Sequence, residues 1–181
     1  MPLSQNAISR RAMLLGSASF MLAASAIAAP AQVTIENFSP AGKSLGTVRV
    51  NKVVKSKDEW RKQLSAESFH VTREEGTERA YTGATWDNHA DGLYRCICCD
   101  TALYDSKTKY ESYTGWPSFW QPISKLNITE STDYLLIAPR TAISCKRCDA
   151  HLGHVFNDGP KPTGLRYCMN SAALRFAARA H

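Results

Sequence analysis

The chain has 181 residues, of which 44% are hydrophobic and 21% are charged, and its formal net charge is +6. This composition fits a globular protein with room for one domain and a real core, and it excludes a chain that is largely disordered. The positive charge is scattered in pairs such as Lys146 and Arg147. Without a basic block, the sequence gives no reason to expect a nucleic-acid partner.

Residues 1 to 31 have the pattern of a cleaved export signal. Ser9-Arg10-Arg11 precedes an uncharged run from Ala12 to Ala29, and small residues around Ala28 and Ala31 offer cleavage sites. The order Ser-Arg-Arg-x-Met-Leu resembles a twin-arginine signal, which predicts a bacterial protein that is periplasmic or secreted. The alternative is an N-terminal membrane anchor. The run is short and weakly apolar for a span, so no stable anchor is expected after processing.

Residues 32 to 55 are interpreted as a partly ordered leader. The segment Val33–Phe38 alternates weakly, and Thr47–Val50 is a candidate edge strand. The main domain is expected to span residues 56 to 177.

Ser56 is predicted to begin a helix. Ser56-Lys57-Asp58-Glu59 fits a capping box, and Trp60 and Leu64 share one helical face. This helix should end between Ala66 and Phe69. A second capping-box match at Thr72-Arg73-Glu74-Glu75 predicts another short helix that stops at Gly76.

Beyond Gly83 the pattern changes to short strands separated by turns, with no long helix between them. The candidate strands are Leu93–Ile97, Ala102–Tyr104, Phe119–Pro122, Tyr134–Ala138, Thr141–Ser144, His151–Phe156, Leu165–Met169 and Ala173–Phe176. Such a succession is typical of antiparallel sheet. The predicted fold class is mainly β, with packed sheets and a small helical flank at the N-terminal side.

Two matching cysteine motifs predict a metal site. Cys96 to Leu103 and Cys145 to Leu152 both read Cys-x-x-Cys-Asp-x-x-Leu. Two such knuckles can present four thiolates in a tetrahedron, which is the ligand set of a structural zinc ion. The predicted zinc ligands are Cys96, Cys99, Cys145 and Cys148. Four thiolates leave no open position, so the zinc is expected to stabilise the fold and not to react.

Two questions about the cysteines stay open at this point. In an exported protein, six cysteines could instead form disulfides. Cys98 could replace Cys99 as a ligand, but only Cys96 with Cys99 reproduces the spacing of the second knuckle. Cys98 is therefore interpreted as an extra thiol, most simply an inert small side chain.

Cys168 is the one cysteine without another cysteine within three residues, and its neighbours suggest a reactive site. On a strand, Arg166, Cys168 and Asn170 point to the same face. A nearby cation lowers a thiol pKa and raises the thiolate fraction. His151 and His154 could supply or relay protons. Alternatively, Cys168 is a buried small hydrophobe and each histidine is structural.

The stretch from Tyr113 to Trp120 places several aromatic residues around glycine and proline. It could fill the core or wall an apolar pocket, and composition alone does not separate these roles.

Together, Gly-Trp-Pro-Ser-Phe at 115–119, the paired knuckles and the segment from His151 to Ser171 resemble the B-type methionine sulfoxide reductases. The resemblance covers about residues 56 to 177. It implies the β-tent fold of antiparallel sheets. It also implies reduction of the R epimer of methionine sulfoxide, mainly in oxidised proteins, as a repair of oxidative damage.

The resemblance also implies roles for single residues. Cys168 would be the nucleophile and become a sulfenic acid. His151 and His154 would bind the sulfoxide oxygen or protonate it, and Arg166 and Asn170 would support the thiolate. Trp116 would pack against the substrate methyl group, with Phe156 as a second wall. The four zinc ligands of the family match the cysteines named above.

One departure from the family concerns recycling. Many members carry a resolving cysteine directly before Gly-Trp-Pro-Ser-Phe, where this chain has Thr114. No cysteine precedes Cys96 either, and Cys98 is expected near the metal. The sulfenic acid should therefore be reduced by an external thiol or a thioredoxin-like partner, with Cys98 as a less favoured resolver.

Two functions of other classes compete with the enzyme. The first is a zinc-ribbon-like binding module, in which Cys168 would be dispensable. The second is a disulfide-stapled structural protein, which would hold no zinc and few free thiols. Nothing in the sequence suggests an obligate dimer, so a monomer is expected.

Overall fold

A computed structural model describes residues 30–133 and 139–180 of the chain. The described part contains two α-helices, α1 (Lys57–Gln63) and α2 (Ala66–Arg73). Its strands are β1 (Gln32–Phe38), β2 (Ser44–Asn51), β3 (Gly92–Cys96), β4 (Ala102–Asp105), β5 (Lys109–Tyr110), β6 (Ser118–Phe119), β7 (Ile128–Asp133), β8 (Arg140–Cys145), β9 (His151–Phe156), β10 (Arg166–Met169) and β11 (Leu174–Ala178). Short 3₁₀ turns lie at Ser106–Thr108, Lys125–Asn127 and Ser171–Ala173.

The strands form three antiparallel sheets. A six-stranded sheet has the order β5-β6-β10-β9-β8-β7, a three-stranded sheet has the order β11-β3-β4, and β1 pairs with β2. The mainly β prediction, with antiparallel sheets and a short helical flank, is confirmed.

The core lies between the three-stranded and six-stranded sheets. Tyr94 and Tyr104 come from the smaller sheet, and Phe119 and Tyr167 come from the larger one. The ring of Phe119 stacks on Tyr104 at 4.4 Å and meets Tyr94 edge-on at 4.9 Å. Aromatic pairs in these geometries add to the stabilisation from apolar burial. These core contacts fix the positions of β6 and β10, the strands that carry part of the candidate site.

The segment expected to be a partly ordered leader is a β-hairpin packed on the domain. Asn127, which is fully buried, accepts a hydrogen bond from the backbone N–H of Glu36 at 2.8 Å and donates one to its carbonyl at 2.9 Å. Ile35 is buried beside them. The edge strand predicted at Thr47–Val50 is confirmed and lies within β2, and the weakly alternating segment Val33–Phe38 lies within β1. The hairpin is more ordered than expected because these contacts hold it in place.

The helix predicted at Ser56 is present with both hydrogen bonds of its capping box. It ends earlier than predicted, because Ser65 starts a new helix by accepting a hydrogen bond from the Ser68 N–H at 3.0 Å. The helix predicted to begin at Thr72 is wrong. Thr72 lies inside α2, where its hydroxyl donates to the Ser68 carbonyl at 2.6 Å.

Most of the predicted strands are found, and β9 has the predicted bounds. The strand predicted from Phe119 to Pro122 is shorter and starts at Ser118, while β5 and β7 were not predicted. The strand predicted at residues 134–138 lies outside the described residues, as does almost all of the predicted export signal. Within the described residues, none of the helices has the length and apolarity needed to cross a membrane.

Candidate active site and metal centre

The two cysteine motifs fold into the same turn. In the first, the Asp100 N–H donates to the Cys96 carbonyl at 2.9 Å, and in the second, the Asp149 N–H donates to the Cys145 carbonyl at 2.9 Å. Both aspartates have positive φ, at 61° and 55°. Asn and Asp tolerate this conformation better than most residues, which accounts for an aspartate at the same position in both copies.

The turns bring four sulfur atoms together. The Sγ atoms of Cys96, Cys99, Cys145 and Cys148 all lie within 4.8 Å of one another. The Sγ atoms of Cys96 and Cys148 lie 3.6 Å apart, and those of Cys99 and Cys145 lie 3.5 Å apart. A tetrahedral zinc site with bonds of about 2.3 Å separates its sulfurs by roughly 3.8 Å. All six cysteines are free thiols, so the structure favours a metal site over disulfides.

Cys98 does not belong to the four-sulfur set. Its thiol is buried and lies 3.5 Å from the Thr72 hydroxyl.

A cation lies beside the four-sulfur set. Arg73 donates to the Cys148 carbonyl at 2.8 Å and lies 3.5 Å from the Cys148 Sγ. A guanidinium at this distance partly balances the negative charge that four thiolates and a divalent ion would carry.

A row of side chains crosses the six-stranded sheet and contains Cys168. In the antiparallel register, Cys168 of β10 lies opposite Ser118 of β6 and opposite His154 of β9. Directly opposed residues present their side chains on the same face. The sheet therefore places a thiol between a hydroxyl and an imidazole.

Gly153 allows the two central strands of this row to approach closely. Its φ of +150° favours glycine, and a Cβ at this position would collide with the Cys168 carbonyl oxygen. Any side chain here would push β10 away from β9 and change the distance between Cys168 and His154.

Burial controls the protonation of Cys168 more strongly than the nearby cation does. Burial raises the pKa of the Cys168 thiol, while Arg166, Thr114 and Ser118 act in the opposite direction without cancelling it. The sequence-based hypothesis that Arg166 lowers the Cys168 pKa agrees with the direction of that contribution, which burial outweighs. Part of the reason is that Arg166 is engaged elsewhere, donating to Asp158 at 2.9 and 2.7 Å.

Cys168 opens into a small apolar pocket of about 110 Å³. The pocket brings together most of the residues that the sequence singled out, and it is lined by Thr77, Trp116, Arg140, Gly153, His154, Phe156, Cys168, Met169 and Asn170. Trp116 donates its indole N–H to the Glu78 carbonyl at 3.1 Å, and the Arg166 guanidinium stacks over Phe156 at 4.4 Å. These contacts fix both aromatic walls. Of the aromatic stretch, Trp116 faces the pocket, Phe119 fills the core and Tyr113 is exposed.

Asn170 reaches the pocket by a route that strand alternation did not predict. The strand ends at Met169, and Asn170 precedes the 3₁₀ turn. Its side chain accepts from the Glu78 N–H at 3.0 Å and donates to the Leu152 carbonyl at 3.1 Å. The Glu78 carboxylate accepts two N–H bonds at 2.7 Å from the start of the same turn. Asn170 and Glu78 therefore hold the end of β10 in place.

The two histidines have different surroundings. His154 lines the pocket with Cys168, and its Nε2 lies 2.8 Å from Asp133. His151 does not line that pocket, and its buried Nε2 has no hydrogen-bond partner among the residues that the structure describes. Burial lowers the pKa of His151 to about 4, so it is neutral at physiological pH. The structure thus distinguishes two residues that sequence spacing left equivalent.

The polar residues of this region that sequence reasoning missed include Ser118, Glu78, Asp133 and Arg140. Ser118 could have been identified as a neighbour of Cys168 only if the pairing of β6 with β10 had been predicted in its correct register. The other three are separated widely along the chain from Cys168, and no spacing rule links them to it.

The chain is similar in sequence to a family of known proteins. Residues 64–178 match the family model described as the SelR domain. A peptide methionine sulfoxide reductase MsrB from Hahella chejuensis is 55% identical over 127 residues, which cover 70% of this chain and 91% of the relative. The MsrB of Pseudomonas aeruginosa strain UCBPP-PA14 is 49% identical over 130 residues, covering 72% of this chain and 98% of that protein.

A plant relative is longer than the shared region. The chloroplastic peptide methionine sulfoxide reductase B1 of Arabidopsis thaliana is 52% identical over 123 residues, which cover 68% of this chain and 61% of the plant protein. The match to the family model and the coverage of the bacterial relatives establish the relationship. The chain belongs to the SelR-domain family of B-type peptide methionine sulfoxide reductases.

Proposed function

We propose that this chain reduces the R epimer of methionine sulfoxide in proteins, as a peptide-methionine (R)-S-oxide reductase, with Cys168 as its nucleophile. Family membership supports the activity. The observation that supports the mechanism is the cross-strand pair of Cys168 and His154 in one pocket with Trp116. An apolar pocket of this size suits the methyl end of a methionine side chain.

In the proposed first step, the Cys168 sulfur attacks the sulfoxide sulfur as the sulfoxide oxygen is protonated. The attack forms an S–S bond to the substrate sulfur. As the oxygen passes to Cys168, this S–S bond and the S–O bond to methionine break and an S–O bond to Cys168 forms, giving methionine and a sulfenic acid. The cysteine is oxidised and the methionine is reduced. The proton of the thiol ends on the sulfenic oxygen, so the step needs no further reagent.

His154 is the group best placed to transfer that proton. Because the pKa of Cys168 is raised by burial, the resting enzyme holds mainly a thiol and not a thiolate near neutral pH. An imidazole directly opposite the thiol can accept the proton and then deliver it to the oxygen. Arg166, Thr114 and Ser118 stabilise the negative charge on sulfur during the transfer.

We assign Trp116 and Phe156 to the walls that receive the methyl group. Both are held by contacts outside the pocket, to the Glu78 carbonyl and to Arg166. Fixed walls select the geometry in which the sulfoxide oxygen points to His154. The mirror epimer would direct its oxygen elsewhere, which gives a physical origin for epimer selectivity.

The zinc ion is assigned to Cys96, Cys99, Cys145 and Cys148. The mutual distances of the sulfurs and their free thiol state fit this ion. Bound zinc would tie β3 and β8 together through the two knuckles and would add to the folding free energy.

An external thiol is proposed to complete the cycle. Four of the remaining cysteines form the metal set, and the thiol of Cys98 is buried against Thr72. Two equivalents of thiol reduce the sulfenic acid to Cys168 and water, and they form one disulfide. A dithiol protein of the thioredoxin type or a small thiol would serve.

The arginine pair and apolar run of residues 1–31 support export, and we propose a periplasmic or secreted location with repair of oxidised proteins there.

The mechanism is tested without any reductant. Wild-type enzyme mixed with excess methionine-R-sulfoxide peptide should form about one methionine per chain, with one added oxygen on the Cys168 peptide by mass spectrometry. The Cys98→Ser variant should give the same stoichiometry. An intramolecular disulfide that involves Cys168 would contradict the one-cysteine cycle.

A further inference from the structure

Asp133 connects the candidate proton donor to a cation of the pocket. Its Oδ2 atom, at the end of β7, lies 2.8 Å from His154 Nε2 and 2.6 Å from the Arg140 guanidinium. The side chains of Asp133 and His154 are only 9% and 10% exposed. Because the effective dielectric constant is low in this buried setting, the interaction between Asp133 and His154 is stronger than it would be at the surface. A change in the charge of Asp133 therefore has a larger effect on His154.

The carboxylate has a chemical consequence for the imidazole. An ionised carboxylate can only accept hydrogen bonds, so the Nε2 atom of His154 must carry a proton. Nδ1 is then the only ring nitrogen of His154 that can accept a further proton and release it. The second hydrogen bond of a histidine sets which nitrogen takes part in chemistry.

We propose that Asp133 is a positioning residue for sulfoxide reduction, fixing the tautomer of His154 and supporting its protonated form beside Cys168. The proposal rests on the function proposed above. Asp133 does not line the pocket with Cys168 and acts through His154.

Charges around His154 give the direction of the effect. Burial lowers the pKa of His154, the hydrogen bond to Asp133 raises it, and Arg140 lowers it. Among the residues that the structure describes, other titratable neighbours are His151, whose ring lies 5.2 Å away, Cys168 on β10, and Glu75, which raises the pKa weakly. Without the Asp133 charge, Arg140 would remain beside His154 and no longer be balanced. The cationic form of His154 would then lose the attraction of Asp133 and would also be repelled by the unbalanced charge of Arg140.

A second cavity supports a role in proton transfer. This polar space of about 320 Å³ is lined by Asp133, His151, His154 and Glu75, among others. His154 thus lies between the apolar pocket and a polar cavity that has room for water. Protons can reach the imidazole from that side without crossing the substrate pocket.

The test compares the pH dependence of kcat in wild type, Asp133→Asn, His154→Gln and the double variant. Asparagine keeps a hydrogen-bond acceptor and loses the charge. In Asp133→Asn, kcat should fall about 10- to 100-fold at pH 7.5, KM should change little, and the basic limb of the profile should move to lower pH. In the His154→Gln background, the same change should cost less than about threefold.

Arg140→Gln gives the opposite sign and covers the case in which Asp133→Asn does not fold. With Asp133 left unopposed, the basic limb should move to higher pH. Asp133→Glu should recover part of the loss in kcat. Thermal unfolding and zinc content report whether each variant is folded.

Equal losses from Asp133→Asn with and without His154 would overturn the proposal, as would a basic limb that stays in place in both Asp133→Asn and Arg140→Gln. Failure of the proposed function is distinguishable, because wild type itself would then not reduce the peptide.

Discussion

Separate substitution of two adjacent cysteines by serine tests the proposed metal centre. Cys98 and Cys99 are neighbours in one knuckle, yet only Cys99 has its Sγ in the four-sulfur set, 3.5 Å from that of Cys145. Cys99→Ser should therefore weaken zinc binding, whereas Cys98→Ser should leave it unchanged. Serine changes one atom in each case, so the two variants are matched in size.

The magnitude follows from the ligand count. Structural zinc sites have apparent binding free energies of about 10–16 kcal/mol, so each of the four ligands accounts for roughly 2.5–4 kcal/mol. Loss of Cys99 should lower the zinc affinity by about two to three orders of magnitude. Cys98→Ser loses a weak contact with the Thr72 hydroxyl and replaces a buried thiol by a more polar group, at a cost of about 1 kcal/mol in stability and none in zinc content.

The assay is zinc content by elemental analysis, followed by the rate of zinc release to a coloured chelator. Wild type and Cys98→Ser should hold about one zinc per chain and release it slowly. Cys99→Ser should lose zinc and unfold at a lower temperature. Equal zinc loss in both variants, or zinc release from Cys99→Ser as slow as from wild type, would refute the assigned ligand set.

Three further outcomes are expected. Arg166→Ala should shift the pH profile of Cys168 alkylation to higher pH, because the guanidinium lowers the thiol pKa. A tenfold smaller thiolate fraction slows alkylation about tenfold at neutral pH. An unchanged profile would exclude this contribution of Arg166. Gly153→Ala should reduce kcat at least about tenfold with zinc retained, since its Cβ collides with the Cys168 carbonyl, and wild-type kcat would contradict the close-approach argument. Trp116→Ala should raise KM and lower the preference between epimers, measured with separated R and S peptides, while Tyr113→Ala, which changes an exposed ring, should leave both unchanged.

The knuckles were predictable because their chemistry is local. A Cys-x-x-Cys turn contains its own backbone hydrogen bonds, and the repeat of Asp100 and Asp149 reflects a positive φ that each turn needs. Local capping likewise predicted the start of α1 at Ser56. The same pattern predicted a helix start at Thr72 that is not present. It missed the start of α2 at Ser65, because the residue three positions on is Ser68 and the capping box is incomplete.

The sequence singled out several residues that line the candidate pocket, but it did not predict their geometry. Strand spacing placed Arg166 and Cys168 together, but the strand ends before Asn170, so that residue reaches the pocket through a cap-like contact with Glu78. The pKa direction of Cys168 could not be derived from the sequence, since it depends on burial that only the packed sheets create. The same holds for Asp133, whose link to His154 requires the register of three strands.

Turnover of separated R and S epimers of a methionine sulfoxide peptide, with dithiothreitol as reductant, tests the central claim most directly. Wild type should reduce the R epimer and leave the S epimer unchanged, and Cys168→Ser should reduce neither while it retains zinc and thermal stability. Reduction of the R epimer by folded Cys168→Ser would contradict the assignment of the nucleophile. Failure of folded, zinc-loaded wild type to reduce either epimer would contradict the proposed function.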